Sequence, residues 1–179
     1  MLETLIAALA ALGVGGIAGG WLAARRERAE VFRRHMVATC IAFLRKQAEA
    51  RAALADTQAE VLEYMASADS EPLGFVARRD RLENATGKLR ELQTQSFLLD
   101  LFFPRSNEDA PALEDVASAF AGNVVVFYWR WHDLLNRGLK GELDRPELRS
   151  SVDQLRESAN DQHQSFCWVA NRAIRGRAF

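Results

Sequence analysis

The sequence predicts an all-α chain: one transmembrane helix at the N-terminus, then an up-down-up-down four-helix bundle with a long first helix. Three observations carry this. Residues 5–24, LIAALAALGVGGIAGGWLAA, run without a charged side chain. Arg25, Arg26 and Arg28 follow at once. Beyond them, apolar residues recur at helical spacing in four segments separated by turn-forming residues, and no segment alternates like a strand.

The first segment has the length of a span. A helix rises about 1.5 Å per residue, so this run covers roughly 30 Å, the thickness of a bilayer's hydrocarbon core. Trp21 lies near one end, where indole rings favour the interface. A cleaved signal peptide would carry its positive charge before the apolar run, but here the leader is Met1-Leu2-Glu3-Thr4. The stretch Gly13 to Ala18 matches a dinucleotide-binding fingerprint in letters alone, since that motif needs a preceding strand and an alternating strand-helix pattern.

Gly15 with Gly19, and Gly16 with Gly20, form two G-x-x-x-G pairs, and Ala7 and Ala11 extend one small-residue line. Such a line allows close helix approach in the membrane, so a homodimer is among the expected partners. Arg25, Arg26, Arg28, Arg33 and Arg34 all follow the span. Basic residues near a span are retained in the cytoplasm, and they suit anionic lipid headgroups. The expected location is the bacterial inner (plasma) membrane, single-pass, with the N-terminus out and the C-terminal domain cytoplasmic. Cys40 and Cys167 are then reduced thiols, not a disulfide framework.

The expected organisation is an anchor over 1–24, a helical juxtamembrane neck over 25–36 and a bundle over 37–179. Helix one reads from 25 to 68, with a stripe of Val37, Ile41, Leu44, Ala48, Ala55, Leu62 and Met65, widened at its start by Phe32, Met36, Cys40 and Phe43. Its charge is lopsided: residues 25–51 hold eight basic and three acidic side chains, whereas 52–71 hold five acidic ones and no basic one. Ser70 and Pro72 open helix two, which runs to about Phe103. Phe75, Leu82, Leu89, Ser96 and Phe103 alternate with Ala85, Leu92 and Leu99 as a bundle seam. The end of that helix, from Phe97 to Phe103, is apolar almost all round and needs a cover of helices, partner or lipid.

A loop over 104–111 precedes helix three, which spans 112–137. Its expected seam is Leu113, Phe120, Phe127 and Leu134 with Ala117, Val124 and Trp131, and Gly138 and Gly141 end it and loosen the connection. Helix four has the clearest start: Asp144 as N-cap, Pro146 in the first turn, Glu147 at the capping-box position, and Leu143 with Leu148 as a staple. Leu148, Leu155 and Val169 form one line, with Gln162 on it, and Val152, Ala159, Phe166 and Ala173 form the other. Arg105, Arg172, Arg175 and Arg177 fall at the membrane-facing end.

The chemistry-bearing residues are few. A net charge of −1 argues against a general nucleic-acid binder. There is no P-loop, no G-x-S-x-G and no C-x-x-C. His163 and Cys167 share a helix face four residues apart, and His132 is the best third ligand a metal could find. Trp129-Arg130-Trp131-His132-Asp133 reads as aromatic packing, with Trp131 on the seam. No catalytic residue, cofactor or metal site is assigned. The expected role is a membrane-tethered scaffold or regulatory module that binds another protein. The alternatives are an accessory subunit docking through its glycine-lined span and, last, a metal-dependent sensor or enzyme.

Overall fold

The computed structural model describes the backbone of residues 2–66, 72–102 and 113–176, and the side chains of residues 23–66, 78–101 and 115–175. Four helices occupy it: α1 (Leu2–Tyr64), α2 (Pro72–Phe102), α3 (Leu113–Leu139) and α4 (Arg145–Gly176). The described residues hold no strand. The expectations on the glycine pairs, Ser70, Phe75, the 104–111 loop, Phe103, Leu113, Arg105 and Arg177 lie outside the described residues or side chains. Among the described residues, no helix is long and apolar enough to cross a membrane. The expected span falls almost wholly on side chains outside that set.

The helices form an antiparallel bundle in which α1 lies mainly against α2, and α4 mainly against α3. Its register is read from cross-helix pairs. Lys46 meets Glu91 at 2.7 Å and Arg81 meets Glu60 at 2.6 Å, which runs α2 against α1. Phe43 packs on Phe166 at 5.0 Å between centroids, and Gln47 meets His163, which runs α4 against α1. Lys46, Glu49, Lys88 and Glu91 alternate in charge across the α1–α2 seam. The hydrogen bonds with Glu91 and Glu49 raise the pKa of Lys46, and that with Lys46 lowers both carboxylates.

The core face of α1 corrects the expected stripe. The buried line is Met36, Cys40, Phe43, Gln47, Ala50, Leu54, Thr57 and Val61, at alternating spacings of four and three. Ile41, Ala48 and Ala55 lie on the outside, and Val37, Leu44, Leu62 and Met65 are half-buried. The reason is compositional. Polar Gln47 and Thr57 occupy the true seam and interrupt its apolar signal. Alanines on the outer face imitate a seam there. Thr57 tolerates burial because its hydroxyl donates to the Ala53 carbonyl at 2.7 Å.

On α2, Leu82, Ala85, Leu89, Leu92, Ser96 and Leu99 are all buried, as the spacing predicts. On α3 the seam is Ala117, Ala121, Val124, Tyr128, Trp131 and Leu135. Phe120, Phe127 and Leu134, expected on that seam, instead flank it half-buried. Tyr128 and Ala121 were obscured by the larger neighbours beside them. On α4, Leu148, Val152, Ala159, Phe166, Val169 and Ala173 are buried as expected, with Leu155 partly so.

The α3–α4 connection is pinned rather than loose. Glu142 N–H donates to the Arg137 carbonyl and Gly141 N–H to the Gly138 carbonyl, a Schellman closure. Gly141 supplies the left-handed residue that closure requires, with φ at 72°. Gly138 is a helical residue in a crowded place: an added Cβ would sit 2.8 Å from Leu148 Cδ2 and 3.4 Å from Val61 Cγ1. Asp144 Oδ1 accepts from Glu147 N–H at 2.8 Å, which confirms the cap, and Leu143 and Leu148 are both buried beside it.

Candidate functional site: a polar relay through the core

Burying an amide requires that its hydrogen-bonding groups find partners. Gln47, on the seam of α1, finds them on two other helices. Its Oε1 lies 2.8 Å from His163 Nδ1 on α4, and its Nε2 donates to Tyr128 Oη on α3 at 3.4 Å. The far nitrogen of His163, Nε2, lies 3.7 Å from Cys167 Sγ, one turn further along α4. Three helices thus contribute to one chain of contacts: Tyr128, Gln47, His163, Cys167.

The protonation pattern follows from the acceptor. Gln47 Oε1 can only accept, so Nδ1 of His163 carries the proton and Nε2 presents its lone pair to the Cys167 thiol. Burial, then the positive charge of Arg51, lowers the pKa of His163 and favours the neutral ring. Burial raises the Cys167 and Tyr128 values, so all three stand uncharged near neutrality. Cys40 is more deeply buried. Desolvation, and then the neighbouring Cys167, pushes its thiol up to about 11.

His132 belongs elsewhere. Its Nε2 lies 2.9 Å from Thr86 Oγ1 on α2, and Thr86 in turn donates to the Leu82 carbonyl at 2.9 Å. With that hydroxyl proton used, His132 Nε2–H is the donor to Thr86. Burial lowers its pKa despite the Leu82 carbonyl and Asp133 nearby. The three residues considered for a metal are therefore split: His132 faces α2, whereas His163 and Cys167 face α1. Among the described residues, no three His, Cys, Asp or Glu side chains gather around a common point. In the aromatic segment, Trp131 is buried and Trp129 sets its edge against the His132 ring at 5.6 Å. Gln162, on the expected seam line of α4, is half-buried and accepts from Asn123 Nδ2 at 2.9 Å.

Sequence reasoning found His163 with Cys167 because i, i+4 spacing is visible in one helix. It missed Gln47 and Tyr128. Only the relative rotation of α1 and α3 brings those two together, and no local signal marks it.

The other surface feature is apolar. Among the described residues, the large hydrophobic side chains left exposed are Val31, Ile41 (60% exposed), Phe97 (60%), Leu101 (74%), Val126 and Trp168 (60%). The register places them in one half of the bundle. Phe97 is six residues past Glu91 and so level with about residue 40 of α1, opposite Lys46 less six. Leu101 comes level with about residue 36 by the same step. Trp168, five past His163, is level with about residue 42, and Val126, two before Tyr128, with about 45. Val31 lies beyond them on α1. These residues form a loose belt, spread over all four helices, in the half of the bundle from which α1 runs back to its apolar N-terminal stretch. No large hydrophobic is exposed in the opposite half among the described residues. The expected cover over Phe97–Phe103 is thus only partial: Leu99 is enclosed by the bundle, while Phe97 and Leu101 are not. Arg172 lies over the Trp168 ring at 5.3 Å, leaving a cation at the belt's edge.

Open grooves also mark the described surface, two of them with apolar lining. One lies between α3 and α4, lined by Phe127, Arg130, Asp133, Leu134 and Leu155 among others. The other lies on α1 among Ala24, Glu27, Arg28, Val31, Phe32 and His35. Neither is a closed cavity. No protein-family model, characterised protein or solved structure matches the chain.

Proposed function

We propose that the chain is a membrane-tethered helical scaffold whose bundle captures another protein through the apolar belt. The belt carries this reading. Single exposed hydrophobics are ordinary on a monomer, but here they all fall in one half of the bundle, and an uneven apolar surface of that kind favours an interaction role. Its position argues against insertion in lipid by an upright chain: Ile41 lies 17 residues beyond Ala24, about 26 Å along a helix. A protein partner held near the membrane fits that height. Phe97 with Leu101 on α2, and Trp168 with Arg172 on α4, are the residue types that dominate binding energy at such surfaces, and because α2 and α4 do not touch among the described residues, they offer a partner two separate faces.

The tether is the uncharged run over 5–24, read as a single membrane-crossing helix. Arg25, Arg26, Arg28, Arg33 and Arg34 place the bundle in the cytoplasm by the positive-inside rule and contact anionic headgroups. Docking of Gly15, Gly16, Gly19 and Gly20 on another span is the second reading, favoured by the paired G-x-x-x-G spacing. The test is quantitative co-purification in mild detergent with Phe97→Ser/Leu101→Ser and, separately, Gly15→Leu/Gly19→Leu. Loss of a stoichiometric partner on the first pair alone supports the belt. Loss on the second pair alone transfers the role to the span, and a wild-type chain that retains no partner refutes both.

A further inference from the structure

The Tyr128–Gln47–His163–Cys167 relay has the parts of an activated thiol. A nucleophilic cysteine needs a base within reach and a third group that orients the base. Here His163 Nε2 lies 3.7 Å from Cys167 Sγ, and Gln47 Oε1 holds the opposite ring nitrogen at 2.8 Å. Gln47 is in turn fixed from Tyr128. Cys167 is half-buried at the α1–α4 seam, so part of its side chain faces solvent, whereas Cys40 is enclosed.

The surroundings narrow the chemistry. Residues 163–168 are inside a continuous helix, so their backbone N–H groups are engaged in that helix and cannot form an oxyanion hole. Acyl transfer lacks its electrostatic support there. Thiol–disulfide exchange creates no oxyanion and needs none.

We propose that Cys167 is a thiol-modification site that exchanges with small disulfides of the glutathione type, with His163 as its base and Gln47 as the positioning residue. As the Cys167 sulfur forms a bond to one sulfur of the disulfide, its proton passes to His163 Nε2. The original S–S bond breaks, its electron pair leaves on the second sulfur, and that sulfur takes the proton back from His163. The products are a mixed disulfide on Cys167 and one free small thiol. The disulfide is the oxidant, and excess thiol reverses the step. Burial keeps the resting thiol protonated and also lowers the basicity of His163, so the proton passes to the imidazole only as the new S–S bond forms, not beforehand. The adduct would stand in the α1–α4 seam in place of the Cys167–His163 contact. This inference is independent of the scaffold reading.

The experiment uses the full chain, purified in detergent with both thiols reduced, and oxidised glutathione as the probe. Mass mapping follows the rate at each cysteine. Attack is expected at Cys167 and not at Cys40, and where a Cys40–Cys167 disulfide forms, the Cys40→Ser and Cys167→Ser variants show which thiol takes the first adduct. His163→Gln should slow the reaction by on the order of 10²-fold, the lower range for a positioned general base, and added imidazole should restore part of the rate. A Cys167 rate no higher than that of Cys40, or one that His163→Gln leaves within about twofold, overturns the proposal. A second measurement needs no variant. The ¹⁵N shifts of His163 should report a proton on Nδ1 and a lone pair on Nε2. A proton on Nε2 would mean the Gln47 amide is turned the other way and would refute the base assignment even if His163→Gln fails to fold.

Discussion

Phe43→Ala against Ile41→Ala decides how α1 is rotated in the bundle. The two residues are two positions apart on α1, yet Phe43 is fully enclosed and Ile41 is 60% exposed. Truncating a buried phenylalanine costs about 3–5 kcal/mol, through lost transfer energy and the cavity left behind. The upper part of that range applies, because the change also removes the Phe166 ring pair, a geometry worth about 0.5–1.5 kcal/mol. Domains of this size lose about 2–4 °C of Tm per kcal/mol, so a loss of ~4–5 kcal/mol lowers Tm by about 8–20 °C. Ile41→Ala removes side chain from a solvated face and should stay within about 0.5 kcal/mol, or roughly 2 °C. The assay is thermal unfolding of the full chain in detergent, followed by circular dichroism. Equal destabilisation by the two variants would refute the register, and a larger effect at Ile41 would restore the stripe of Val37, Ile41 and Ala48 as the core face.

Three further outcomes follow from the same structure, and a fourth from the sequence alone. Leu89→Asp buries an unpaired carboxylate in the centre of α2 and should remove several kcal/mol of a typical ~5–15 kcal/mol, whereas Glu63→Gln on an exposed position should melt like the parent. Gly138→Ala forces a methyl against Leu148 and Val61 and should cost about 1–3 kcal/mol, while Asp144→Ala should cost about 1 kcal/mol by removing the α4 cap, both read by chemical denaturation. His132 and His163 are held below their ordinary 6.5 mainly by burial, so the unfolded chain takes up protons first; stability present above that value should fall as the pH drops through it, and His163→Gln should flatten the slope. A reporter fused after Phe179 should behave as cytoplasmic, and activity of a periplasm-only reporter there would reverse the orientation.

The sequence by itself determined the helical class and most helix ends, because those rest on local chemistry. Asp144, Glu147 and the Leu143–Leu148 staple announce α4 within six residues, and the Leu82-to-Leu99 heptads carry the α2 seam unaided. The tertiary structure decided which way each helix turns. On α1 the chemically weaker face is the buried one, because Gln47 and Thr57 satisfy their polar groups inside the bundle and the outer alanines need no burial at all. It also separated His132 from His163 and Cys167, and drew Gln47 and Tyr128 to the latter pair instead. Residues more than 30 positions apart meet only through helix rotation and register. Those are set by the sum of packing across all four helices, and no single segment encodes them.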